Sequence, residues 1–306
     1  VEAKHFLSIA SQTGADLQTL VKRASMAKRG EIELGDRLAG RQVALIFEKP
    51  STRTRVSFEA AVTSMGGAAI VLRPEEMQLG RGETLEDTGR VLGSYVDAIV
   101  LRTSDHRRLE RLAEVSGVPV INALSDSEHP CQCLADLLTI QERCGALEGV
   151  ILAYVGDGNN VAISLMLGAC LVGMDIHVAT PEGYAPPPAA VTMAESFAER
   201  SGASISVGRD PSAAVAGADV VYTDVWTSMG HEEEATQRSD AFSGFIVDES
   251  LMSAAGPEAI AMHCLPAHRG QEISAEVIDG PRSAVWDQAA NRLHAQRALL
   301  DHLLST

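Results

Sequence analysis

The sequence predicts an α/β protein of two domains, each a parallel sheet flanked by helices, with interdomain helices joining them. Three observations lead there. The chain has 306 residues, and domains of about 100–200 residues make two cores the natural division. Short apolar runs alternate with helix-length amphipathic segments, the pattern of parallel strands with helical crossovers. One helical stretch, "HPCQCLADLLTIQERCG" at His129–Gly145, lies between two sets of such runs.

In the first set the candidate strands are Val43–Phe47, Ala69–Leu72, Ala98–Leu101 and Pro119–Ile121. The joining helix follows: Pro130 suits a first helical position, Leu134, Leu137 and Leu138 share a face, and Gly145 is a stop. The second set is Val150–Val155, Asp175–Ala179, Ser204–Val207, Val220–Thr223, Phe245–Val247, Ala259–Met262 and the short Ala284–Val285. Within it "GYAPPPAAV" reads as a turn followed by a helix start. The final stretch "DQAANRLHAQRALLDHLLST" is helical, with Leu293, Leu300, Leu303 and Leu304 in an apolar stripe. No repeat of solenoid or propeller period is present.

A net charge of −16 argues against nucleic acid as a partner, because phosphate backbones reward clustered Lys and Arg. An anionic ligand must be caught locally. Five cysteines, an odd number, and the mixed-charge start "VEAKHFLSIA" speak against a disulfide framework and a secretory leader, so a reducing, cytoplasmic setting is expected. The uncharged run Val161–Met174 falls short of the roughly 18–20 residues of a membrane span. No membrane association is expected.

The local catch is suggested by "PSTRTR" at Pro50–Arg55, which follows a strand and opens a helix. Helix N-termini carry unpartnered N–H groups and positive partial charge, so cations there cost about 0.3–1 kcal/mol unless an anion offsets them. Ser51, Thr52, Arg53 and Thr54 can all serve such an anion, although an ordinary capped helix with solvated arginines would spell similarly. Arg53 and Arg55 cannot share one role, since residues two apart on a helix point in different directions; Arg53 is expected at the ligand and Arg55 in a structural pair. "HPCQ" offers a second helix start, with His129 at the N-cap and Gln132 in the first turn. Arg102 follows a strand, where parallel sheets present side chains to ligands.

In the second half, "GDGNN" at Gly156–Asn160 resembles a dinucleotide turn only superficially. Val161 stands where a third glycine would be, and the next strand ends at Ala179-Thr180 without a ribose-binding acid. "HCLPAHRG" at His263–Gly270 puts Cys264 after a strand, where it could be a buried thiol, a nucleophile, or a zinc ligand with His263 and His268. Zinc wants four clustered ligands, and no paired Cys motif accompanies these.

These blocks, in order, resemble the aspartate and ornithine carbamoyltransferase family. "PSTRTR", "MQLGRGETLEDT" (Met77–Thr88), "LRT" (Leu101–Thr103), "HPCQ", "GDGNN", "DVWTSMG" (Asp224–Gly230), "HCLPAHRG" and "NRLHAQRALL" (Asn291–Leu300) span nearly the whole chain. The resemblance implies a metal-free, cofactor-free transfer of the carbamoyl group from carbamoyl phosphate to an amine. Residues 1–135 would bind carbamoyl phosphate, with the helix at about 288–306 packing back on them, and residues 136–287 would bind the amino acid. Ser51, Thr52, Arg53, Thr54, Gln78, Arg102, His129, Gln132, Cys264, Leu265 and Arg292 would hold carbamoyl phosphate, with Arg102, His129 and Cys264 catalytic. Asn160, Asp224, Ser228 and Met229 would hold L-ornithine, and Cys264 belongs to the ornithine branch, as the aspartate branch carries a cysteine-free motif there. The family implies a cis bond at Leu265-Pro266 and a homo-oligomer, a trimer, in which the Gln78 loop reaches a neighbour's site. Close approach of the two lobes would align amine and carbonyl. Putrescine or an acylated ornithine as acceptor, or an inert regulatory homologue, are the alternatives. "DQAANR" before Arg292 departs from the family's more acidic spelling, and "RTSDHRR" lacks its usual aromatic residue.

Overall fold

In the computed structural model, residues 4–73, 75, 77–78, 82–227 and 235–305 are described. The chain clusters into two compact units, one of residues 1–12, 16–135 and 291–306, the other of residues 13–15 and 136–290. Each is a parallel α/β sheet flanked by helices.

The first unit runs α1 (Gly14–Lys28, from Asp16 on), β1 (Gln42–Phe47), α2 (Thr52–Ser64), β2 (Ala68–Leu72), α3 (Leu85–Gly93), β3 (Ala98–Arg102), α4 (His106–Ser116), β4 (Val120–Leu124) and the start of α5 (Pro130–Cys144). Its strands are ordered β2-β1-β3-β4 and all pair in parallel. Parallel strands covered on both faces need near-continuous apolar runs; Val43, Ala44, Leu45 and Ile46 are accordingly all buried in β1. Helix ends follow local chemistry. Asp105 caps α4 by accepting from the Arg107 N–H, and Gly117 ends it at φ 68°, a left-handed conformation that suits a residue without Cβ.

After α1, the chain leaves β1 toward β2 on one side and reaches β3 on the other. The crevice between the carboxyl ends of β1 and β3 is therefore a topological switch point, where open α/β sheets bind ligands. Register places Arg102 opposite Phe47, immediately beside the turn into α2.

The second unit holds the rest of α5, then β5 (Ile151–Val155), α6 (Asn160–Val172), β6 (Asp175–Ala179), α7 (Pro188–Ser201), β7 (Ile205–Gly208), α8 (Pro211–Val215), β8 (Val220–Thr223), α9 (Ala235–Ala241), α10 (Glu249–Met252), β9 (Ile260–His263), α11 (Ala275–Ile278) and the first residues of α12 (Val285–Leu304). The strand order β7-β6-β5-β8-β9 puts the switch point between β5 and β8. The chain passes from one unit to the other within α5 and returns within α12. Inside the first unit, Asp301 of α12 is buried and ion-paired with Arg23 and Arg37.

Two expected strands do not form. Val247 makes a single bridge to Ile273, because Asp248 at once caps α10 by accepting the Leu251 N–H. Ala284–Val285 is likewise no strand: only Ser283 bridges to Ala261, and Val285 opens α12. The β4 strand runs to Leu124, beyond the expected Ile121, because the Thr103 N–H donates to the Leu124 carbonyl. No helix among the described residues is long and apolar enough to cross a membrane.

Candidate active site

In the first unit, α2 starts without a conventional cap. Ser51 occupies the N-cap with extended backbone (φ −156°, ψ 104°), but its side chain accepts no first-turn N–H. Its Oγ instead accepts from Arg102 Nη1 at 3.2 Å. The hydroxyl proton is thereby left to donate outward, alongside the first-turn amides. Thr52 and Arg53 are exposed and Thr54 is buried. Arg55 pairs with Glu59 one turn on, at 3.4 Å, the structural role its direction predicted.

The turn between β1 and α2 is pinned from below. Glu48 accepts from Arg108 Nη2 at 2.7 Å and from the Thr103 hydroxyl at 2.5 Å, and its N–H donates to the Arg102 carbonyl. Charged pairs around Glu48 thus set where Ser51 and Arg102 stand.

A second group assembles around Arg292, 6% exposed on α12. Its guanidinium donates to Gln132 Oε1 and to Thr54 Oγ1, joining three elements far apart in sequence. The His129 carbonyl accepts the first N–H groups of α5, from Gln132 and Cys133, so His129 holds the N-cap position as expected. Its imidazole is 5% exposed. Burial, then the cations Arg292 and Arg102, push its pKa well below 6.5. The ring is neutral at physiological pH and keeps one N–H to donate. Gln78 is exposed on the β2–α3 connection, and among the described residues no contact ties it to this group.

In the second unit the Asn159 side chain caps α6, accepting from the Val161 and Ala162 N–H groups, while its Nδ2 donates to Asp224 Oδ2 at 2.8 Å. Asp224 follows β8 and is 5% exposed. Its other oxygen accepts from Cys264 Sγ at 3.0 Å. Asn160, part-buried, is the first helical residue of α6. Asn160 is the residue expected to hold L-ornithine; capping α6 and bonding Asp224 fall to its neighbour Asn159, a separate role that a strong N-cap residue after a strand could have signalled. Ser228 and Met229 lie outside the described residues.

The glycines of "GDGNN" serve backbone approach. A Cβ on Gly158 would sit 2.3 Å from Pro186 N, so the turn packs directly against the proline segment. Asp157 pairs with Arg238 at 2.7 Å, and Arg238 also donates to the Trp226 carbonyl.

Cys264 and Leu265 leave β9 in a sharp turn. The Leu265-Pro266 bond is cis, as the family pattern implied, and Leu265 has φ 60°. The Leu265 N–H donates to His263 Nδ1 at 2.8 Å and His263 Nε2 faces Glu272 Oε1 at 3.2 Å. Asp224, His263 and Cys264 bring one ligand atom each within 4.8 Å of one another. Both His263 nitrogens are already engaged, so the trio offers no spare imidazole lone pair and suits a zinc ion poorly. Burial raises the Glu272 pKa, but bonds from His263 and from backbone N–H groups outweigh it and hold the carboxyl low.

Beneath the turn is a buried polar network that sequence reading missed. Gln288 accepts the His263 N–H at 2.9 Å and donates to Asp136 at 2.7 Å and to the Tyr222 hydroxyl at 3.0 Å. Tyr222 donates to Asp136 at 3.2 Å and stacks on Tyr154, with both phenol pKa values pushed well above 10 by burial and nearby acids. Cys131, by contrast, is an inert thiol: burial raises its pKa to about 12.

The first unit thus sets a helix start and a neutral His129 near the cations Arg102 and Arg292, and the second holds the Asp224 carboxyl beside the Cys264 thiol. Residues 4–142 match the aspartate/ornithine carbamoyltransferase carbamoyl-P binding domain, and residues 148–303 match that family's Asp/Orn binding domain. The chain belongs to the aspartate/ornithine carbamoyltransferase family. It is 54% identical over 301 residues to the ornithine carbamoyltransferase of Acidothermus cellulolyticus, covering 98% of this chain and 96% of that one. It is 51% identical over 300 residues to the anabolic ornithine carbamoyltransferase of Pyrococcus furiosus, covering 97% and 95%. Among solved structures, the P. furiosus ornithine carbamoyltransferase matches with TM-score 0.94 at 50% identity, covering 97% of this chain and 96% of that one. The Gloeobacter violaceus enzyme matches with TM-score 0.90 at 47% identity over the full length of both.

Proposed function

We propose that the protein transfers the carbamoyl group of carbamoyl phosphate to the side-chain amine of L-ornithine, releasing L-citrulline and phosphate. The observation that carries the acceptor is Asp224, a buried carboxylate held by Asn159 and Cys264. It suits the α-ammonium of ornithine and is the wrong charge for the second carboxylate of aspartate. Full-length relatives at about half identity, named ornithine carbamoyltransferase, support the same reading.

The first unit takes carbamoyl phosphate. Ser51, Thr52, Arg53 and Thr54 with the amides of α2 receive the phosphate, assisted by Arg102 and Arg292. Neutral His129 and Arg102 donate to the carbonyl oxygen, where negative charge grows as the amine attacks. Gln132, and the backbone carbonyls of Cys264 and Leu265, accept from the carbamoyl NH₂. In the second unit Asn160 and Asp224, with Ser228 and Met229, hold the amino acid, and the Cys264 thiol orients its side-chain amine. The C–N bond forms, the C–O bond to phosphate breaks, and the proton shed by nitrogen leaves on phosphate or to solvent. No covalent enzyme intermediate is needed, since the donor is already activated.

The proposal extends to a cytoplasmic homotrimer in which the Gln78 loop serves a neighbour, and to arginine biosynthesis, in keeping with the anabolic relative. Initial rates across ornithine, putrescine, N-acetylornithine and aspartate, at fixed carbamoyl phosphate, test it. Citrulline formation with ornithine preferred is expected; preference for another amine would overturn the acceptor assignment.

A further inference from the structure

Three buried side chains on and around β9 are arranged as a device that aims one carbonyl. A backbone N–H can only donate, so His263 Nδ1, 2.8 Å from the Leu265 N, must carry its lone pair. The ring is then neutral with its proton on Nε2, facing Glu272 Oε1 at 3.2 Å. That oxygen also accepts the His268 N–H at 2.5 Å. His263 and Glu272 are fully buried, and the His263 N–H is itself fixed on Gln288. The peptide from Cys264 to Leu265 is trans, as Leu265-Pro266 is the only cis bond among the described residues. In a planar trans peptide the N–H and C=O point opposite ways. Tethering the Leu265 N–H to His263 therefore turns the Cys264 carbonyl away from the imidazole.

We propose that Glu272 is a positioning residue that locks His263 in its Nε2–H tautomer, so that His263 Nδ1 holds the Leu265 N–H and aims the Cys264 carbonyl at the carbamoyl NH₂. With the proton on Nδ1, two donors would face each other and the turn would lose its aim. The inference rests on the role proposed for the Cys264 carbonyl, but its first test does not.

The first arm reads the His263 tautomer by long-range ¹⁵N–¹H correlation on the full chain, with His263→Asn assigning the signal. A neutral ring protonated on Nε2 is expected, and a proton on Nδ1 overturns the proposal. In the second arm, Glu272→Leu should give mixed tautomers and lower kcat at least about tenfold while KM for ornithine stays within about twofold. Glu272→Gln, whose amide oxygen still accepts from Nε2–H, should restore most of it. An unchanged tautomer and kcat in Glu272→Leu overturns the lock. In a His263→Asn background, where no tautomer exists to be set, Glu272→Leu should cost little more kcat; a full additive loss would mean that Glu272 acts otherwise. A wild-type chain that forms no citrulline would defeat the proposed activity, while the tautomer measurement would still decide the lock.

Discussion

Asn159 Nδ2 donates to Asp224 Oδ2 at 2.8 Å, tying the cap of α6 to the end of β8. One side chain therefore starts a helix and orients the carboxylate proposed for the α-ammonium. The two jobs separate by substitution. Asn159→Ala loses both, with about 1 kcal/mol of stability from the cap. Asn159→Asp keeps an oxygen for the Val161 and Ala162 N–H groups but sets a second carboxylate against Asp224. Its kcat/KM for ornithine should fall at least as far as in Asn159→Ala, a loss that capping alone would not cause. Steady-state kinetics beside urea unfolding separates the two.

Arg53 and Arg55 test the phosphate loop as a matched pair. Arg53 is exposed, so Arg53→Ala should alter stability by less than about 0.5 kcal/mol. Loss of a charge-assisted contact of about 1.5–3 kcal/mol should weaken carbamoyl phosphate about tenfold or more in calorimetry. Arg55→Ala breaks only the pair with Glu59, worth about 0.3–0.5 kcal/mol, and should leave that affinity intact. Equal affinities in the two variants would remove Arg53 from the site.

His129 predicts an acid-side loss of stability. Its folded pKa lies well below 6.5, so on acidification the unfolded chain takes up a proton that the folded chain refuses. Stability is therefore full above about pH 6.5 and declines as pH falls toward the folded value. His129→Gln should flatten that decline between about pH 6.5 and 5 in urea unfolding. Turnover of the wild type should instead rise toward alkaline pH, because the attacking amine must be neutral and an alkyl ammonium of this kind has a pKa near 10.4.

Gly158→Ala should be costly, because its Cβ would meet backbone atoms of the Ala185-Pro186 segment rather than a movable side-chain tip. A loss of about 1–3 kcal/mol is expected, with ornithine binding weakened through the displaced α6 start. Gly208, whose Cβ would meet nothing within 4 Å, is the control: Gly208→Ala should be nearly neutral.

Local chemistry made much of this legible. Apolar runs between turn formers marked the nine sheet strands found among the described residues, and Pro130 and Gly145 bracketed α5. Phe245–Val247 misled because its composition is strand-like, whereas the following Asp248 commits the chain to a helix. The helix starts of the proposed site were legible where a motif also sets local structure, as at Ser51–Thr54 and His129–Gln132. It was illegible where a partner is distant: Asp136 and Gln288 meet across 152 residues, and no spacing rule announces such a pair. Gly156 and Gly158 looked like a nucleotide fingerprint because tight backbone approach needs glycine whatever it approaches.

The uncapped start of α2 has a thermodynamic corollary. The N-cap serine of α2 is turned toward Arg102, so on the proposed reading the donor's phosphate would cap that helix, completing a secondary-structure element as well as occupying a site. Affinity and folding are then linked quantities: at a hundredfold excess over Kd, a ligand of the native state adds about 2.7 kcal/mol. Inorganic phosphate alone should raise the melting temperature of the first unit, and cells with abundant carbamoyl phosphate would hold a sturdier enzyme than starved ones.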